Sequence, residues 1–324
     1  MVGRRNRHRV RGARDDIRTP GIAVTQVLVD SLLRTAQVSL LSVGLTLVYS
    51  LLRFPNFAHV EFAVVGGYVA LLFSATLGLP LLPSIVLAVL IAGACGVLMD
   101  RAVFARLRDT TPILMMIASF GLGIAMRATV RLAWGASPRS YGLGLQSPVH
   151  FLDATITPVQ IWILVVAAAS MLGFYLLLNF TRLGIAMRAT ADNAGLASSS
   201  GIYTERVIGT VWFLGAAFAG LGGVLIGLDT QLFPRMGFGI IIPVFAAAIL
   251  GGIGNPYGAV AGALVIGLAE NVGLAINWQP LLGLFGHTGG PAYIPTNWRA
   301  AIPFSILILV LLVRPQGLFG ERKS

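Results

Sequence analysis

The chain has 324 residues, of which 56% are hydrophobic and only 11% charged, with 39 glycines and a net charge of +11. That composition lies outside the range of soluble globular proteins and inside that of chains that cross a bilayer many times. The basic excess does not describe a nucleic-acid face, because seven arginines (Arg4, Arg5, Arg7, Arg9, Arg11, Arg14 and Arg18) crowd the start and most others flank apolar runs, where they act as topology signals.

Residues 1-24 are expected to form a basic arm, either disordered or an extension from an upstream start. It is a poor secretory signal, since the apolar run that follows is long and carries Asp30 and Arg34. A membrane domain is expected over 25-318, followed by a short tail at 319-324. Runs able to cross ~30 Å of hydrocarbon at ~1.5 Å per residue are read at 27-52, 57-78, 80-104, 112-134, 158-180, 206-230, 236-252, 258-277 and 298-314. The predicted fold is all-α and polytopic, with about eight to nine transmembrane helices.

The basic loop Asp100 to Thr110, the segment carrying Arg182, Arg188 and Arg206, and the tail with Arg314 fit together on the inside. The breaks at 79-80, 135-157, 231-235 and 278-297 then fall outside, with Trp278, Tyr293 and Trp298 placed as an interfacial aromatic belt. Nine spans and an inside C-terminus put the N-terminus outside, against the arginine-rich arm. Either one run is not a full crossing or the arm is an unusual extension.

No catalytic constellation stands out. The single lysine, Lys323, lies at the tail, so the GxxxxGK[ST] phosphate cradle is absent and any ATP hydrolysis belongs to another polypeptide. The four histidines (His8, His59, His150 and His287) show no ligand-like pairing, no metal or cofactor is expected, and Cys95 is read as packing.

Polar residues within the apolar runs are the informative exceptions, because intramembrane charge is costly and faces a partner or a water-filled cavity. "RFPNFAHVEF" places Asn56, His59 and Glu61 at a junction of two runs, and Glu270 lies inside "GALVIGLAENVG". For Asn56 and Glu61 the residue types alone favour a helix cap and first turn over a place on a solute pathway. Glu270 fits either a pathway or a side chain reaching to the interface, and Arg127 and Arg131 read as snorkelling anchors. Gly254, Gly258 and Gly262, four apart, are expected to share one helical face for close packing, as are Gly215, Ala219 and Gly223. Pro55-Asn56 and Asn255-Pro256 are similar interruptions in the two halves, the pattern of a transport site between repeats.

"TRLGIAMRATADNAGLASSSGI" is a polar interval longer than a tether needs. Its residues predict a helix with Leu183, Ile185 and Met187 packed and Arg188 toward water, then Asp192 or Asn193 capping a second stretch that ends at Gly201 in a left-handed conformation. An ordered loop and a docking element for a cytoplasmic partner both fit that pattern.

The order "NFAHVEF", "TRLGIAMRATADNAGLASSSGI", "LGGIGNPYGAVAGALVIGLAE" and "RPQGLFG" resembles the permease subunits of branched-chain amino-acid ABC importers, over about Ser39 to Gly320. Similar members carry urea or short amides. The resemblance implies a permease of the vitamin B12-importer type in the bacterial cytoplasmic (inner) membrane, paired with a second homologous permease, two cytoplasmic ATPase subunits and an extracytoplasmic solute-binding protein. On this resemblance, the segment 181-205 is the coupling region, with Gly184, Arg188, Asp192, Asn193 and Gly201 in the knob that meets an ATPase. Asn56, His59, Glu61 and Glu270 are then the residues nearest to polar duty on the solute route. Val60 stands where the family commonly has glycine, which puts in doubt any role needing an exposed or unusual backbone there. Rival readings are an ion-coupled secondary transporter using Glu61 and Glu270, an intramembrane enzyme, and a membrane scaffold.

Overall fold

The computed structural model describes residues 24–144, 146–151, 153–284, 290, 292–314 and 316–320, so the basic arm before Val24 and the last four residues lie outside it. The chain folds as α1 (Val24–Leu52), α2 (His59–Leu71, continued by a π-turn at Leu72–Thr76), α3 (Leu81–Ala102), α4 (Pro112–Trp134), a hairpin of β1 (Val149–Phe151) and β2 (Ala154–Ile156), and α5 (Pro158–Phe180). The short helices α6 (Arg182–Asp192) and α7 (Ala194–Ser199) follow, then α8 (Thr204–Asp229), α9 (Met236–Gly251), α10 (Pro256–Ala275), α11 (Gln279–Gly283) and α12 (Ala301–Val313).

Local chemistry sets these boundaries. Prolines open α4, α5 and α10, where the missing N–H costs nothing. Thr157 and Gln160 close a reciprocal capping box at α5, and Gly135, at φ 82°, ends α4. Within α1, Ser31, Thr35 and Ser42 return their hydroxyl protons to carbonyls four residues back, which hides polar groups that hydrocarbon would leave unpaired.

Helices α1, α2 and α8 form the centre. In α1 and α8, 78% of the most apolar stretch is buried, against 6% for the segment containing α12, whose surface is left for lipid or another chain. Small residues allow the central helices to touch. A Cβ on Gly66 would overlap the backbone of Gly220, one on Gly223 would overlap the carbonyl of Ala63, and Gly44 and Gly215 face each other. Near the end of α3, Phe54, Phe104 and Trp212 stack at centroid distances of 5.3 and 4.9 Å.

Contacts divide the bundle into two ends. At one, Arg53 donates to the carbonyl of Ala191 (3.2 Å), Arg108 grips Asp100 and Glu205, and the amide of Leu318 donates to Leu250 (2.7 Å). This end gathers the basic loops that the sequence places inside. At the other, Gln26 accepts from the amide of Thr155 (2.8 Å), and Asp229 accepts from Gln37 and Gln160 (2.9 and 3.2 Å). There Tyr141 donates its hydroxyl to the carbonyl of Gly67 (2.9 Å), and burial pushes its phenol well above the usual range.

Eight helices among the described residues are long and apolar enough to cross a membrane, and α9, with 16 residues, is shorter. At ~1.5 Å per residue α9 covers about 24 Å. It needs no more, because the chain after α8 dips inward and seats the fully buried Leu232 against Gly67 and Gly227. Helix α9 is thus the shorter run, yet it still joins the segment after α8 to the end that holds Leu250. The Val24 end of α1 lies beside the hairpin.

Candidate functional site

The sequence places a span at 57-78, but α2 starts deep inside the bundle. His59, its first residue, bonds through Nε2 to the carbonyl of Leu41 (3.0 Å) and packs on Gly44. Leu41 lies three turns from the inner end of α1 at Leu52, about 16 Å at ~1.5 Å per residue. The chain from Arg53, at φ 55°, to Ala58 therefore climbs without helical bonding to near the middle of the bundle. Irregular backbone at that depth survives only where protein buries it or where it lines a cavity.

Side chains stabilise the break. Asn56 Oδ1 accepts from the amide of Ala58 (3.1 Å) and Ser119 Oγ accepts from the amide of Phe57 (3.0 Å). Glu61 falls in the first turn of α2, as the cap reading expects, although Ala58 at the cap position supplies no side-chain bond. Asn56, His59 and Glu61 are all about 99% buried. Val60 has an ordinary helical backbone and packs among Val38, Leu41 and Ile240, so a branched residue here strains nothing and fills volume.

Glu61 is not free. Arg127 of α4 donates to its Oε1 through both Nε (3.1 Å) and Nη2, with the guanidinium also 5.4 Å from the ring of Phe238 on α9. This corrects the snorkelling reading of Arg127. It lies seven residues from Trp134, yet its guanidinium turns to a carboxylate on another helix. The signal lay in depth: an arginine about two turns inside an apolar run calls for a carboxylate at the same level. Arg131 does remain exposed, toward the outer end of α4.

Glu270 stands apart from that group. It is fully buried near the outer end of α10 and accepts from Arg34 Nε (2.7 Å) and Arg299 Nε (3.1 Å), while Arg299 Nη2 also reaches Asn271 Oδ1 (2.8 Å). Side-chain extension to the interface is thereby excluded. The structure brings Asn56, His59 and Glu61 together and places Glu270 in a separate network joining α1, α10 and the start of α12.

The inner polar segment is a helix–break–helix ledge. Thr181 caps α6 by accepting from the amide of Gly184 (3.1 Å), Asn193 caps α7 by accepting from Leu196 (2.9 Å), and Gly201 turns the chain at φ 86°. Asp192 and Asn193 are exposed. A side chain at Gly184 would overlap the carbonyls of Leu177 and Leu178, so glycine is what lets α6 fold back against the end of α5. Two expectations change here. Arg188 is exposed but donates through Nη1 to the carbonyl of Leu178, tying the ledge down, and Ile185 is 57% exposed while Met187 is buried.

The glycine stripe is also divided. Gly258 and Gly262 lie where a Cβ would overlap the carbonyls of Gly251 and Ala247, which welds α10 to α9. Gly254 instead turns the loop at φ 97° with open space around it, so it is not a packing residue. The two interruptions do share a device, since Asn255 Oδ1 accepts from the amides of Tyr257 and Gly258 (both 3.1 Å) as Asn56 does from Ala58.

Comparison with known proteins gives this arrangement a family. Residues 27–311 match the model for "branched-chain amino acid transport system / permease component". The chain is 32% identical to the high-affinity branched-chain amino acid transport system permease protein LivH of Escherichia coli K12, over 87% of this chain and 91% of that one. It is 30% identical to BraD of Pseudomonas aeruginosa, which carries the same description, over 91% and 95%. A galactofuranose transporter permease protein, YtfT of Escherichia coli K12, is 25% identical over 78% of this chain and 73% of its own. These relatives are transport subunits rather than enzymes, and the all-α polytopic chain described above belongs to the family of branched-chain amino acid transport system permease components.

Proposed function

We propose that this chain is the membrane-embedded permease of an ATP-driven importer, of vitamin B12-importer type, for branched-chain or other hydrophobic amino acids in the bacterial inner membrane. A second homologous permease, two cytoplasmic ABC ATPase subunits and an extracytoplasmic solute-binding protein complete it. The observation that carries the reading is the ledge α6–α7, a compact projection between α5 and α8 at the end where the basic loops gather. Capped at both helices and braced by Arg188, it transmits a push instead of absorbing it. Gly184, Arg188, Asp192, Asn193 and Gly201 are assigned to ATPase coupling, and Asn56, His59 and Glu61 to the solute route, while Glu270 ties α1, α10 and the start of α12 beside it.

Mechanically, closure of the ATPases displaces the ledge, and α5 and α8 carry that displacement into the centre of the bundle. Asp192→Lys or Gly201→Trp should leave the subunit inserted and assembled but abolish solute-stimulated ATP hydrolysis in the reconstituted complex. Full stimulation with normal assembly would reject the coupling role. The relative described as a galactofuranose permease shows why solutes need a panel. Uptake of leucine, isoleucine, valine, urea and short amides into proteoliposomes, with ATP or with an ion gradient alone, separates the amino-acid reading from the amide and ion-coupled ones.

A further inference from the structure

The region around Glu61 is built differently from a structural ion pair. Both donating nitrogens of Arg127 go to one oxygen, Oε1, so Oε2 is buried with no partner and Nη1 makes no hydrogen bond among the described residues. Asn56 Nδ2 and His59 Nδ1 are also buried and unpartnered. A buried unpaired polar atom costs about 1–3 kcal/mol, so three over the break and the first turn of α2 call for a ligand or water.

The surroundings form a groove. Helices α4 and α9 both pack on α2 and meet each other where Arg127 lies over Phe238, with the break as a floor between them. A Cβ at Gly237 would sit 3.0 Å from the buried Glu61 Oε2, so glycine lets α9 lie directly over that oxygen, and a solute reaches it when α9 draws back. Phe57 on the floor stacks on Phe245 of α9 (5.1 Å) and meets Phe120 of α4 edge-on (6.2 Å). Phe120 and Phe238 are 53% and 59% exposed. Arg127 keeps 27% of its side chain exposed, about 10 Å along α4 from its outer end at Trp134. A guanidinium opening onto lipid is costly within the hydrocarbon, and a water-filled passage or another protein chain along this face removes that cost.

The geometry points to this groove as a solute half-site that recognises a zwitterion: Arg127 takes the α-carboxylate, Glu61 Oε2 the α-ammonium, and the phenylalanine rings the apolar side chain. The inference rests on the amino-acid reading above. When empty, the site is electrically balanced by its own ion pair, and an arriving zwitterion offers one charge of each sign to the same two groups. The exchange needs no net charge to be brought into the bilayer. Neutral solutes lacking those charges gain nothing from it, and an amine or an acid alone satisfies only one partner.

The test uses the complete complex in proteoliposomes with Cys95→Ala and a reporter, Ile124→Cys, one turn from Arg127 on the same flank of α4 and 52% exposed. Labelling by a methanethiosulfonate reagent is timed without ATP and with saturating leucine, leucinamide or isocaproate. Leucine should slow labelling several-fold and the other two should not. In Glu61→Gln/Arg127→Gln, which is neutral and strands no charge, labelling should proceed without leucine protection, and leucine uptake should fall about 10- to 100-fold. No protection in the parent complex, or protection and uptake retained in the double variant, overturns the half-site. A parent complex that takes up no amino acid defeats the functional reading itself, whereas normal leucine uptake without protection defeats only this site.

Discussion

Two buried glutamates in this bundle have opposite surroundings. Glu270 is saturated: Arg34 reaches both of its oxygens, Arg299 adds a second donor to one of them, and Asn271 steadies Arg299. Glu61 has one arginine on one oxygen, an unpartnered second oxygen and a half-open groove beside it. Saturation produces a tie, because both oxygens of the buried carboxylate are committed and neither is left to exchange. Incomplete pairing at the break in α2 leaves a buried acceptor without a donor, and the glycines at 123 and 237 let α4 and α9 lie directly against it. The sequence presents the two residues alike, as lone carboxylates in apolar runs. Only their partners separate a fastening from a site.

The largest effect that would break this comparison is on stability. Glu270→Ala strands two guanidiniums, one of them only 14% exposed, and neither can shed its charge. Removing one partner from a buried ionic network costs about 3–5 kcal/mol, so the variant should unfold at a clearly lower temperature in detergent and accumulate poorly in membranes. An unchanged melting temperature would remove the tie. Arg127→Ala should cost less, about 1–3 kcal/mol by the same thermal measurement, because the carboxyl left behind can neutralise itself by taking up a proton. Its deficit should appear instead in leucine uptake. If Arg127→Ala proves the more destabilising of the two, the roles assigned here are reversed.

Sequence alone made much of this legible, unevenly. Span positions followed from hydropathy because lipid imposes length and polarity on every helix it surrounds. The ledge was readable residue by residue, since Asn193 at a cap and Gly201 at a left-handed turn act through their immediate neighbours. Long-range facts were not. The depth at which α2 begins depends on how far α1 extends past it, which no local pattern around Pro55 and Asn56 reports. Arg127 and Glu61 are 66 positions apart, so each looked solitary. Gly254 misled for the opposite reason: spacing of four mimics a helical face, but the residue lies outside the helix that Pro256 opens.

The smallest effect sharpens the contrast most. Arg299 has a 40% exposed side chain, and without it Glu270 still holds Arg34 at both oxygens. Arg299→Gln should therefore cost no more than about 1 kcal/mol, the range of partly solvated pairs, and leave the affinity for leucine during uptake unchanged. A double-mutant cycle with Asn271→Ala should show coupling of a few tenths of a kcal/mol to about 1 kcal/mol, since the two side chains share a hydrogen bond of 2.8 Å. Altered leucine discrimination in Arg299→Gln would make the outer network a second point of solute contact. Unaltered discrimination, beside its loss in Glu61→Gln/Arg127→Gln, would confine recognition to the break in α2, because the two arginines differ chiefly in whether their carboxylate has an oxygen to spare.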